Sequence, residues 1–398
     1  MRGNVLLTFK AKTRDFVAIL ASNRGLYLST LILFFVFVAA ASYRAYPYVD
    51  NVNEATSAGN DWLTYKTNAL SILHEGISMP VVRENYHLPG GFLYNYFLAG
   101  LFALFGENSS YVYVFQAGML ALGVGLYTLA FKPALRQKTA GLYFLALAFG
   151  AFIDVFLFYT FRLLSENLVL FLLPLFCFLI LRTATRESSL LASLAGVVMG
   201  LGALCRQNLF LLGPALGVLL FIYLKGRPRR TLISFSFLFF FGLVCSLLPL
   251  RNYAVTGEIS VPVIRYTAER LTSNVGINEP ITVTAVAKKI LFCAGITTAL
   301  GLPFYYLKPH WLVIWVGALI YSWRLLKTRR AKFWEAFAIL FIVMYLVPLF
   351  IVPGVSTYGV RMVLPVMPIA LLLGVRSLTL LRRPGRQSPE APANSSLL

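Results

Sequence analysis

Phe92-Leu-Tyr-Asn-Tyr-Phe-Leu-Ala-Gly-Leu-Phe-Ala-Leu-Phe105 is an uncharged run of 14 residues, and its reading sets the side of the membrane on which every later loop falls. A helix rises 1.5 Å per residue, so this run reaches only about 21 Å across a hydrocarbon layer of about 30 Å. Counted as a crossing, it gives twelve spans. It also sends Lys132/Arg136/Lys138, Arg182/Arg186 and the Lys225–Arg230 cluster outside. Taken instead as a re-entrant or interfacial helix, it returns those nine basic residues to the side that holds Arg2, Lys10, Lys12, Arg14 and Arg24. Basic loops belong on the cytoplasmic side, so Phe92–Phe105 is read as a helix that does not cross.

The chain around this run is built for a bilayer. Apolar residues make up 59% of its 398 residues, charged residues 13%, and mean hydropathy is +0.75. A soluble domain of this size carries roughly a quarter charged residues. Apolar runs fall at about 25–42, 110–131, 140–159, 165–181, 189–205, 208–224, 231–250, 290–307, 309–323, 334–353 and 361–381. By the same parity, one of 290–307 and 309–323 crosses and the other does not. The predicted fold is therefore an all-α polytopic membrane protein of ten transmembrane helices, with eleven or twelve as the alternative counts. Residues 1–24 form a cytoplasmic N-terminus and 25–381 the membrane domain. Within it, 43–109 is a long first exoplasmic loop and 251–288 a second, and 382–398 is a disordered cytoplasmic tail rich in Pro, Ser and Ala. Ala39-Ala40-Ala41 resembles a cleavage site, but the apolar run ahead of it is longer than a signal core, so an uncleaved first helix is expected.

A formal charge of +20 invites a nucleic-acid partner, but the distribution of charge argues against one. Twenty-two of the 35 basic residues lie in short clusters on the predicted cytoplasmic side, and eleven of the 15 acids lie on the other side or at its edge. The asymmetry is topological. The partners expected are a lipid bilayer and a membrane-borne substrate, with no nucleic acid. Cys177, Cys205, Cys245 and Cys293 stand singly in or beside apolar runs, without metal or disulfide spacing. No phosphate-binding loop or dinucleotide fingerprint is present.

Chemistry is expected on the exoplasmic face. The stretch 59–91, read as a polar loop, carries Gly59-Asn60-Asp61-Trp62, then Arg83 and His87 before Leu88-Pro89-Gly90-Gly91. A carboxylate such as Asp61 at a membrane edge, among aromatics, can be desolvated enough to serve as a general base. No second acid stands beside it for a two-carboxylate glycosidase. Arg162 and Glu166 lie four apart at the start of a predicted helix, spacing suited to an ion pair. The helix dipole favours Glu166 there as well. Asp154 is a weaker candidate, better suited to a structural hydrogen bond. Arg206 closes one span and Arg361, in Thr-Tyr358-Gly-Val-Arg-Met, opens the last, both at that face. Arginines at helix ends commonly snorkel to water. Three of them at one face also make a forked, cationic seat for a phosphate. Asn108-Ser-Ser matches a glycosylation sequon.

In order and spacing these segments resemble the polytopic GT-C glycosyltransferases, in particular the branch of the protein O-mannosyltransferases and the lipid A aminoarabinose transferases. The resemblance rests on Gly59-Asn-Asp61 with Tyr65 downstream, and on His-Leu-Pro-Gly-Gly-Phe-Leu-Tyr at 87–94 running into Leu-Phe-Ala-Leu-Phe-Gly at 101–106. It continues through Arg162-x-x-x-Glu166, Gly200-Leu-Gly-Ala-Leu-Cys-Arg206, Arg251-Asn-Tyr253 and Tyr358-Gly-Val-Arg361-Met-Val-Leu-Pro-Val-Met-Pro368.

The resemblance implies an inverting transfer of a sugar from a polyprenyl-phosphate donor to an acceptor hydroxyl on a lipid, glycan or protein. Asp61 would act as base, Arg162, Glu166, Arg206, Arg361, Tyr358, His87 and Arg83 would line the substrate, and juxtamembrane helices would sit in the first loop. No cofactor is implied, and a divalent metal is not favoured. Many relatives have a second acid next to the catalytic one; here the neighbours are Asn60 and Trp62. The large soluble C-terminal domain of some relatives has no counterpart here, which leaves acceptor recognition to short loops. The expected location is a bacterial inner membrane with the site facing the periplasm. The competing reading, an exporter or flippase of a lipid-linked glycan, calls for charges lining a path through the bundle, whereas here they gather at helix ends.

Overall fold

The computed structural model describes residues 22–45, 61–76, 92–135, 137–153, 156, 160–206, 208–257, 259, 309–328, 331–351 and 365–381, and every extended element among them is a helix. In chain order these are α1 (Asn23–Ala45), α2 (Asp61–Glu75), α3 (Phe92–Phe105), α4 (Ser109–Phe131), α5 (Gln137–Ala146, running on as a π-turn over Leu147–Phe152), α6 (Ser165–Arg186) and α7 (Ser189–Cys205). They continue with α8 (Leu209–Tyr223), α9 (Arg230–Cys245), α10 (Leu247–Thr256), α11 (Pro309–Thr328), α12 (Phe333–Ile351) and α13 (Met367–Leu381).

Among the described residues, four stretches are long and apolar enough to cross a membrane: Asn23–Arg44, Ser109–Ala134, Ser165–Arg186 and Arg230–Ala254. Shorter apolar helices fall at Phe92–Phe105, Thr139–Gly150, Ser189–Cys205, Leu209–Tyr223, Phe333–Leu346 and Met367–Ser377. The chain is an all-α polytopic membrane protein. Apolar side chains crowd the outer faces, among them Leu28, Ile32 and Phe35 of α1 and Phe235 and Phe239 of α9, the surface that lipid tails cover.

Two contacts establish which helix ends lie together. Lys132, just past α4, donates to the Asn23 side-chain oxygen at the start of α1 (2.6 Å). Glu187, between α6 and α7, pairs with Arg227, between α8 and α9 (3.3 Å). Helices α1 and α4 therefore run in opposite directions across the bundle, so the end of α1 and the start of α4 both lie at the far side. That geometry excludes α3 as a lone crossing and agrees with its sequence reading. It also gathers the described cationic turns, at Lys132, Arg186, Arg227 and Arg229, at one end of the molecule, called the basic end below.

One expectation is corrected here. The stretch 59–91 is not all loop, since Asp61–Glu75 is helical. Tyr65, Asn68, Ala69 and Ile72 are its buried side chains, spaced at three and four residues, the period of a helix with one covered face. That face packs on α3, where the Tyr65 and Tyr94 rings meet edge to face at 5.1 Å.

Helix α7 is drawn close to α9 by Gly196 and Gly200. A methyl group on Gly196 would collide with the Phe237 carbonyl oxygen, and one on Gly200 would lie 2.7 Å from Val244 Cβ. Small residues four apart let two membrane helices touch backbone to backbone, where van der Waals packing supplies the attraction. This contact fixes the height at which α7 ends, and with it the position of Arg206. Pro89, Gly90 and Gly91, the run 290–307 and most of the loop 251–288 lie outside the described residues, as do the N-terminal residues 1–21 and the tail 382–398.

Candidate active site

At the end of the bundle opposite the basic turns, α6 begins, α7 ends and α2 packs across. Arg206 follows the last residue of α7 and leaves the helical conformation (φ −141°, ψ 109°), its N–H still bonded to the Gly202 carbonyl. Its side chain is 9% exposed and lies 3.1 Å from Glu166, whose side chain is 1% exposed. Glu166 sits in the first turn of α6, where unpaired backbone N–H groups favour negative charge. Its second oxygen accepts from the Ser165 hydroxyl (3.3 Å), and Ser165 accepts in turn from the Tyr65 hydroxyl of α2 (3.4 Å). Tyr345 of α12 lies near enough to Arg206 to interact with its charge. Five side chains from α2, α6, α7 and α12 thus form one buried polar cluster.

A second set of contacts lies beside it. The Tyr94 hydroxyl of α3 donates to Gln116 Oε1 of α4 (2.6 Å). Gln116 Nε2 donates to the carbonyls of Thr160 (2.8 Å) and Arg162 (3.2 Å), and Asn167 Nδ2 of α6 donates to that same Arg162 carbonyl (3.2 Å). The Arg162 side chain is exposed. Arg44, near the end of α1, stacks over the Phe161 ring at 4.4 Å, which brings a further cation to this end.

These contacts revise the arginines. Arg162 and Glu166 do not pair; Glu166 takes Arg206 instead. The four-residue spacing brings side chains together only inside a helix, and α6 starts at Ser165 after an extended Leu164 (φ −128°, ψ 134°). Arg206 is not a snorkelling residue either, because it is buried and paired. Asp61 is the first residue of α2, one helical turn before Tyr65. The remainder of the expected site, Arg83, His87, Tyr358 and Arg361, lies outside the described residues, as does Asp154. Asn108, the sequon asparagine, caps α4 by accepting from the Ser110 N–H (2.8 Å).

Sequence reading did not single out Gln116, Ser165, Asn167 or Tyr345. Gln116 carries the clearest signal of these, as an amide within an apolar run, a place where a polar side chain has to find a partner. Tyr345 has none, since a tyrosine in an apolar helix is ordinary.

Residues 89–251 match the family model described as dolichyl-phosphate-mannose-protein mannosyltransferase. No curated protein and no solved structure matches the chain. On a helical membrane bundle, the family match supports the GT-C glycosyltransferase superfamily. The same match supports a membrane glycosyltransferase of the GT-C type. The matched segment runs from just ahead of α3 into α10, and so includes Gln116, Arg162, Glu166 and Arg206.

Proposed function

We propose that this protein moves a sugar from a polyprenyl-phosphate donor to an acceptor hydroxyl at the exoplasmic face of the membrane, with Asp61 as the base. The observation that carries the proposal is the seating of α2. The helix that opens with Asp61 rests, one turn later, through Tyr65 on the cluster containing Glu166 and Arg206. Those residues belong to the segment that matches the mannosyltransferase family.

In this reaction Asp61 takes the proton of the acceptor hydroxyl as its oxygen bonds to the anomeric carbon from the face opposite the leaving group. The bond from that carbon to the phosphate oxygen breaks, its electron pair stays with the lipid phosphate, and the configuration inverts. Asp61 then returns its proton to solvent. The leaving phosphate gains negative charge as the bond breaks, so a preorganised cation beside it lowers the barrier. Arg162 suits this task, since its guanidinium is exposed and makes no ion pair among the described residues. Arg206 serves differently. Already neutralised by Glu166, it holds the ends of α6 and α7 together beneath the site. Arg361, Tyr358, His87 and Arg83 complete the proposed substrate surface. Protein groups alone supply the proposed chemistry. Basic turns at the opposite end support an exoplasmic site, which in a bacterium would be the periplasmic face of the inner membrane.

The test is an assay of the purified protein against a panel of polyprenyl-phosphate sugars with lipid, glycan and peptide acceptors, scored by donor consumed and product formed. Asp61→Asn should lower transfer by about 10²- to 10⁴-fold with an unchanged unfolding midpoint. Near-normal turnover in that variant removes Asp61 as the base. Donor translocation across vesicles without any sugar transfer would replace the enzyme by a transporter.

A further inference from the structure

The turn that carries Arg162 is held from behind by a side chain with no role in the reaction as described. Gln116 sits in α4, 1% exposed, and its carboxamide is used at both ends. The oxygen receives the Tyr94 hydroxyl at 2.6 Å, and the nitrogen reaches the carbonyls of Thr160 and Arg162 at 2.8 and 3.2 Å. Asn167 adds a second amide to the Arg162 carbonyl at 3.2 Å. A buried amide costs free energy unless its donors and acceptor are matched, and here the donors' partners are the carbonyls of the peptides that follow Thr160 and Arg162. Fixing those two peptides fixes the Cα of Arg162, and therefore the origin from which its exposed side chain extends.

Tyr94 extends the connection. Its ring meets the Tyr65 ring of α2 at 5.1 Å, on the helix that opens with Asp61. One chain of contacts thus runs from the helix bearing the proposed base, through Tyr65, Tyr94 and Gln116, to the turn bearing the exposed arginine.

We infer that Gln116 is a positioning residue, which sets the place of the Arg162 guanidinium relative to the donor phosphate and is itself set by Tyr94. This rests on the reading of Arg162 as a phosphate-binding group, and the two are separable by a double-mutant cycle. A short-chain polyprenyl monophosphate is titrated into the full-length protein in detergent, and its Kd is measured for wild type, Arg162→Ala, Gln116→Leu and the double variant. Arg162→Ala should weaken binding about tenfold, the scale of one charged hydrogen bond, and Gln116→Leu by roughly fivefold. If Gln116 acts through Arg162, adding Gln116→Leu to Arg162→Ala causes no further loss. A role confined to packing would make the two losses multiply, or would lower the unfolding midpoint while leaving Kd unchanged; either result overturns the inference and leaves the arginine reading standing. Wild-type affinity in Arg162→Ala overturns the arginine reading, and the inference with it. Should Gln116→Leu fail to fold, Tyr94→Phe decides, because it leaves the amide present but unanchored. A smaller loss that vanishes in the Arg162→Ala background supports the inference, and unchanged affinity overturns it.

Discussion

Glu166 and Glu335 are both buried carboxylates in the first turn of a helix, 1% and 5% exposed, and they sit toward opposite ends of the bundle. Glu335 opens α12 at the basic end. One of its oxygens accepts the backbone N–H of Lys332 at 2.8 Å, the reach-back half of a capping box, and the other accepts the Tyr321 hydroxyl of α11. Its bonds are those of a helix start and its neighbour, and they account for its burial.

Glu166 also opens a helix, α6, but its contacts reach across the bundle. It takes the guanidinium of Arg206, forty residues later in the chain, and the hydroxyl of Ser165, which in turn receives Tyr65 from α2. A buried ion pair is weak evidence for stability, because desolvation offsets most of the attraction. Its place at the end away from the basic turns, bonded through Ser165 to Tyr65 of α2, is better understood as fixing geometry. Equal burial therefore does not mean equal bonding: Glu335 finishes a helix, whereas Glu166 ties three helix ends together.

The sharpest way to break this contrast is to remove one charge from the pair. Arg206→Leu leaves Glu166 buried without its cation and should cost about 3–5 kcal/mol, read as a fall in the unfolding midpoint of the detergent-solubilised protein, together with loss of transfer. Combining it with Glu166→Gln should restore much of the stability but not the transfer. Recovery of both would make the pair a purely structural element. Glu335→Gln should be milder, about 1–2 kcal/mol for a weakened cap and a neutral hydrogen bond in place of a charged one, with the transfer rate unchanged. A collapse of transfer in Glu335→Gln would erase the distinction drawn between the two ends. Smallest of all, Tyr65→Phe removes one long hydrogen bond while keeping the ring contact with Tyr94, and should cost under about 1 kcal/mol. Its use is in the rate, since a fall in transfer larger than that in stability would tie α2 to the chemistry.

Much of the architecture can be read along the chain. The runs at 189–205 and 92–105 coincide with α7 and α3, and the run at 208–224 is matched within one residue at each end by α8. Such ends fall where apolar side chains give way to polar ones, and a bilayer makes that change costly to misplace. Parity of the basic loops reads α3 as a helix that does not cross, and the Lys132–Asn23 contact goes part of the way by excluding it as a lone crossing. Helix α2 was legible in principle from Tyr65, Asn68, Ala69 and Ile72, but a polar stretch between hydrophobic spans invites reading as loop.

The site itself was legible only as an inventory. Asp61, Arg162, Glu166 and Arg206 stand out as rare ionisable groups near apolar runs, so composition and hydropathy sufficed to select them and to set the fold class. Which of them meet was decided by the tertiary structure. Spacing suggested Arg162 with Glu166, but an extended Leu164 takes Arg162 off the helix. The close approach of α7 to α9 at Gly196 and Gly200 sets the height at which Arg206 emerges against Glu166. Likewise Gln116 reaches the Arg162 turn only because α4 packs beside α6. Hydropathy is a property of each residue and can be summed along a chain, whereas an ion pair between helices depends on their rotation and height, which packing alone sets.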